Sequence, residues 1–180
     1  MRFLVDVYTS DHIIRGNLTS PDERLSDILN IKNESAILIE DVLVTRLPNL
    51  NDIPPIKFLE ARIEKRSILF ACPAQGDITQ KSMYRRATRL PYDVCVLVPG
   101  FEIIGTIHLT EKFDTRRVLV AHPDDFIPLT NAMARYVAYP ALTVRNSPIV
   151  FNKSLASFIG ECLAAEEPFG APSSTGMQSD

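Results

Sequence analysis

The chain has 180 residues, 46% hydrophobic and 23% charged, with a formal net charge of −3; this is a globular composition, and the length fits one average domain or two small ones. Thirteen Pro against seven Gly, no Trp and abundant Val and Ile argue against long helices. Residues 1–90 hold 13 basic and 12 acidic groups and residues 91–180 hold 6 and 10, so neither half is the strongly basic domain that nucleic-acid binding usually demands.

The opening MRFLVDVYTSD reaches Asp6 before the apolar core of a signal peptide could form. No apolar run attains the roughly 18 residues of a membrane span, so a cytoplasmic chain without membrane insertion is expected. Cys72, Cys95 and Cys162 are odd in number and widely spaced, which fits buried thiols better than a disulfide framework or a zinc site.

In chain order, the alternation of Val5 and Val7 followed by Ile14, Gly16 and Leu18 predicts a β-hairpin, the Gly marking a bulge or a close backbone approach. Ser20, Pro21 and Glu23 form a capping-box start for a short helix over 21–30, with Leu25, Ile28 and Leu29 on one face. Apolar strands follow over 36–43 and 61–70. The stretch 72–93 reads as a linker with a helix over 78–89. A second hairpin over 94–107 precedes strands at 126–133 and 142–151. Ser154 is a candidate cap for a C-terminal helix over 154–165, in which Leu155, Phe158, Ile159, Cys162 and Leu163 follow helical spacing. The Pro-, Gly- and Ser-rich end, 166–180, reads as a disordered tail.

The two halves repeat one pattern. Val5, Val7, Ile14, Gly16 and Leu18 match Val94, Val96, Ile103, Gly105 and Ile107 at a constant offset of 89. Ile37, Ile39 and Asp41 match Ile127, Leu129 and Asn131 after a one-residue slip; Ile63, Ile68 and Phe70 are aligned with Val144, Ile149 and Phe151. The expectation is a mainly β protein with a few short helices, built from two tandem small β-barrel modules: 1–72 the first, 73–91 the linker, 92–153 the second. Modules this small bury little on their own, so the pair should pack together as a pseudo-dimer.

The order of these strands resembles the Sm-like (SH3-like) small β-barrels. Arg24 to Asn30, R-L-S-D-I-L-N, followed by an apolar strand also resembles a bacterial domain family of unknown function; that likeness covers the first copy. The Sm-like resemblance implies binding of single-stranded RNA through an Asp and an Asn of one loop and an Arg-Gly pair of another. Asp27 and Asn30 have a suggestive spacing, but R-N-S-P and K-R-S stand where the Arg-Gly turn belongs. The plainer reading of Asp27 and Asn30 is a helix-terminal pair.

Lys81 to Arg89 is the most basic stretch. Tyr84, Arg85, Arg86 and Arg89 are candidates for stacking a base and holding phosphates of RNA or a nucleotide, set against a solvated helix face. Arg85-x-x-x-Arg89 before a strand resembles the arginine motif of PilZ domains, which implies cyclic di-GMP binding; the companion Asp/Asn-Ser-Gly motif is replaced by H-L-T-E-K-F-D. His12, His108 and His122 lack partners spaced for a metal, and Asp124 and Asp125 read as turn residues. No nucleophile elbow, phosphate-cradling loop or catalytic Cys motif occurs. The expectation is a non-enzymatic protein-binding or assembly module without cofactor or metal, docking another protein or itself through Leu155, Phe158, Ile159 and Leu163. The plainer reading of that stripe is that it caps its own core.

Overall fold

The computed structural model describes residues 2–19, 24–47, 53–74 and 89–162. Period-two alternation drives each first hairpin. Val5 and Val7 on β1 (Arg2–Tyr8) point into one core, and Leu18 on β2 (His12–Thr19) joins them. Asp6 and Tyr8, on the other face of β1, are buried as well, because that face meets the second half of the chain. The short helix α1 (Leu25–Leu29) buries the three residues of its expected apolar face, Leu25, Ile28 and Leu29. β3 (Ala36–Arg46) and β4 (Ile56–Glu64) follow, then a 3₁₀ turn Lys65–Ser67 and β5 (Phe70–Pro73).

The second half repeats this order with β6 (Leu90–Val98), β7 (Phe101–Leu109), α2 (Val118–Ala121) and β8 (Phe126–Tyr136). β9 (Thr143–Asn146) and β10 (Ile149–Asn152) stand where the first half has the single strand β4, and a 3₁₀ turn Lys153–Leu155 leads to β11 (Phe158–Glu161). Leu90 and Pro91, expected in the linker, already belong to β6.

All strands pair antiparallel in one open sheet of order β11-β6-β7-β8-β10-β5-β1-β2-β3-β4, with β9 beside β8. Among the described residues the sheet does not close into the barrels expected. The halves join where β10 lies against β5, Phe151 opposite Phe70 and Val150 opposite Ala71. Two apolar clusters result, each completed by the other half: Tyr8, Leu69, Phe70 and Cys72 enter the second half's cluster, while Phe126 and Val150 enter the first's. Tyr8 stacks on Phe70 with centroids 4.2 Å apart, and Phe101 meets both rings edge-on.

Local irregularities recur too. The register shifts around Gly16 between β2 and β3 and around Gly105 between β7 and β8. Opposite them, Asp41 and Asn131 adopt left-handed φ angles of 51° and 48°, a conformation that short polar side chains tolerate. A Cβ on Gly105 would lie 2.8 Å from the Ala132 Cβ. Glycine is therefore required there by the close approach of two backbones.

Two expectations are corrected. The described part of 154–165, residues 154–162, holds no α-helix: the 3₁₀ turn ends at Leu155, Ala156 is extended, with ψ 117°, and Phe158–Glu161 adds to β6 as a strand. The helical spacing of Leu155, Ile159 and Cys162 is real, but an edge strand waiting at β6 supplies hydrogen bonds that a short isolated helix cannot match. The alignment of Ile63, Ile68 and Phe70 with Val144, Ile149 and Phe151 also fails. The two 3₁₀ turns put Phe70 level with Phe158, and Phe151 is instead the cross-strand neighbour of Phe70. The linker helix expected over 78–89 lies, but for Arg89, outside the described residues, as does the tail. Among the described residues no helix is long and apolar enough to cross a membrane.

Candidate functional site: the seam and the uncovered edge

A cleft of about 610 Å3 opens along the seam, lined by Asn30, Lys65 and Asn152 among others. Its polar groups are engaged in holding the halves together. The Asn30 amide bonds the backbone of Phe126, and Oδ1 also accepts Asp125 N–H at 3.0 Å. Asn152 donates to Lys65 O and Ile68 O and accepts Ser154 N–H.

Lys65 donates from Nζ to Ile31 O at 2.8 Å and Ile28 O at 3.3 Å, tying the 3₁₀ turn to the end of α1. Burial lowers its pKa, with the Glu34 charge pulling the other way. Lys153 does the same in the second half, donating to His122 O at 2.7 Å just past α2. Among the described residues every buried side-chain nitrogen and oxygen has a partner. The buried polar atoms of the cleft are thus bonded to its own walls, while the exposed Lys32, Glu34 and Arg66 line its mouth.

Behind the seam, Arg15 clamps the buried Asp6 carboxylate with two bonds of 2.7 and 2.8 Å. The hydrogen bond to Asp6 raises the Arg15 pKa, and burial pushes the neighbouring Cys72 thiol up to about 12. A thiol held protonated is a poor nucleophile and metal ligand. Cys95 and Cys162 are raised as well, mainly by burial. Among the described residues no three His, Cys, Asp or Glu cluster in a way that would hold a metal. His108 Nε2 contacts Thr130 Oγ1 at 2.8 Å, and His122 Nδ1 accepts Asp124 N–H at 3.2 Å.

The expected docking residues separate. Ile159 turns inward and is buried, and Leu155 is half-buried against the same cluster. Phe158 turns outward and is 50% exposed. Leu163 lies outside the described residues, as do Tyr84, Arg85 and Arg86; Arg89 is exposed directly ahead of β6. Asp27 is exposed on α1, whereas Asn30 faces the seam rather than any loop partner of Asp27.

Sequence reasoning missed the outer face of the second half. Phe158 pairs with Leu97, Gly160 with Cys95, Cys95 with Ile104 and Ile104 with Met133. Cross-strand partners share a face, so these side chains form an apolar strip running from the β11 edge across the sheet. The Phe158 ring leans over Gly160, 2.9 Å from where a Cβ would stand. The signal was present in the sequence: Cys95 and Leu97 alternate with the inward Val94, Val96 and Val98, although Asp93, Glu102 and Arg135 share the outer face with them. No family model, curated protein or solved structure matches the chain.

Proposed function

We propose that this chain is a non-enzymatic assembly protein: two copies of one Sm-like or SH3-like β module, fused along a shared sheet, that docks a polypeptide partner at the β11 edge. Support for the duplication comes from equivalent bonds in both halves. Lys65 N–H reaches Ser35 O as Lys153 N–H reaches Asp125 O; Leu69 N–H reaches Tyr8 O as Ser157 N–H reaches Leu97 O. Leu47 N–H bonds Asp11 O as Val137 N–H bonds Gly100 O.

The observation that carries the docking reading is a difference between equivalent positions. Phe70 and Tyr8 are covered by Phe101 of the other half, whereas their counterparts Phe158 and Leu97 occupy the end of the sheet, where among the described residues β11 pairs only with β6. An edge that in one copy is an apolar joint and in the other stays open is suited to a partner, since unpaired strand edges and apolar strips are what docking covers.

Isolation of the natively expressed chain by light scattering behind size exclusion tests this. A stoichiometric polypeptide assembly that Phe158→Asp disperses is the expected result. A particle whose mass comes from nucleic acid and falls apart in salt would replace the reading with RNA binding by the basic segment.

A further inference from the structure

We infer that the occupant of the β11 edge is β11 of a second copy of this chain, the two strands antiparallel about a twofold axis through Ile159; the inference rests on the docking reading above and names its partner. Cys162 N–H donates inward to Asp93 O, and the pairing runs Glu161 with Val94 through Phe158 with Leu97. In an antiparallel ladder the direction of bonding alternates along the strand. Ile159 and Glu161 therefore direct their N–H and C=O groups away from β6. Ala71, the counterpart of Ile159, uses that outward side of β5 to meet β10.

Face and bond direction together allow an antiparallel pairing centred on Ile159. With Ile159 opposite Ile159 of the second copy, each donates to the other's carbonyl, and Phe158 stands directly opposite the partner's Gly160. The outward strips then meet around the axis, setting Phe158 and Leu97 of one copy beside those of the other.

The other end of the sheet does not offer an equivalent acceptor. Where the seam presents Phe101, Phe126, Tyr136 and Val150, the first half presents His12, Ala36, Arg46 and Arg62. Glu64 stands in place of the Asn152 that donates to Lys65 O and Ile68 O, and a carboxylate cannot donate those bonds. Head-to-tail propagation in the register of the seam would seat an apolar donor on His12, Arg46 and Arg62, the exposed Ile56, Phe58 and Leu59 of β4 lying outside that register, while the β11 strip matches its own copy. Symmetric closure also ends the assembly at two copies.

Sedimentation equilibrium on the full chain tests this. The wild type is expected to be a dimer; Phe158→Asp weakens it by about tenfold or more in Kd, and Arg62→Asp leaves it unchanged. Hydrogen exchange keeps the proposal falsifiable if Phe158→Asp fails to fold: the Ile159 and Glu161 amides of the wild type should exchange more slowly as concentration rises. Equal weakening by Arg62→Asp, or assemblies growing beyond two copies, would mean a head-to-tail joint and overturn the proposal. Slow exchange of those amides in a monomer would show that the chain's own 163–180 covers the edge, which also overturns it. A monomer that carries a different stoichiometric polypeptide at Phe158 would overturn only the second copy, and a monomer with none would remove the docking reading too.

Discussion

The side chain of Asn30 holds the backbone of Phe126 in both directions: Nδ2 donates to Phe126 O at 2.8 Å while Oδ1 accepts Phe126 N–H at 2.8 Å. It does for β8 what a neighbouring strand would do, and it links α1 of one half to a strand of the other. Asn30→Ala leaves a half-buried N–H and C=O without these partners and is expected to cost about 1–3 kcal/mol. Asn30→Asp keeps the acceptor but sets a carboxylate beside the Phe126 carbonyl, so it should not rescue. Urea midpoints for the three proteins decide it; an unchanged midpoint for Asn30→Ala would show that the bridge contributes nothing net.

Phe70 and Phe158 each open the strand that follows a 3₁₀ turn, and they are opposite in burial, 0% against 50% exposed. Phe70→Ala empties the ring cluster with Tyr8 and Phe101 and should lower stability by about 3–5 kcal/mol. Phe158→Ala, measured at a dilution where the chain is monomeric, should cost under about 1 kcal/mol. Similar losses at both sites would mean that Phe158 is packed in the monomer.

Gly105→Ala drives a methyl group into Ala132, where the ideal Cβ–Cβ separation is 2.8 Å. Overpacking of this kind costs about 1–3 kcal/mol. The double variant Gly105→Ala with Ala132→Gly removes the opposing methyl and should regain part of the loss, because contacting sites couple in a double-mutant cycle. Simple additivity of the two single losses would contradict the steric account.

His122 has its pKa lowered below 6.5, chiefly by burial and also by the Lys153 and Arg89 charges, with Asp124 opposing. In the window between the lowered value and 6.5 the unfolded chain binds more protons than the folded one, so stability rises with pH there and falls on acidification. His122→Gln should flatten that part of the stability profile relative to the wild type, as read from urea midpoints at pH of about 7.5 and 5.5. Parallel profiles would remove His122 as the cause.

Much of the strand content was legible because its cause is local. Val5 and Val7, Val94 and Val96, and Ile37 and Ile39 alternate over short runs, and that period has one main structural meaning. Gly16 and Gly105 announced their bulges because glycine within such a run signals a close approach. The β11 segment was misread because Leu155, Ile159 and Cys162 satisfy helical spacing, and a four-residue strand is too short to show a period of its own. Its state was settled by the free edge of β6, which no local pattern encodes. Asn30 was noticed for its spacing from Asp27, yet its partner lies at Phe126, across the seam.

The sequence by itself determined the β character, the apolar face of the short helix α1, the paired glycine bulges and the lack of the familiar nucleophile and phosphate-loop motifs; it placed the start of α1 at 21, whereas Arg24 is extended and the helix begins at Leu25. These follow from residue-level sterics and short-range periodicity. Only the tertiary structure decided that the halves share one open sheet, that β10 seats on β5, and that Phe70 is covered while Phe158 is left outward. Those outcomes depend on which edges meet, and strand pairing is set by contacts between residues far apart in the chain.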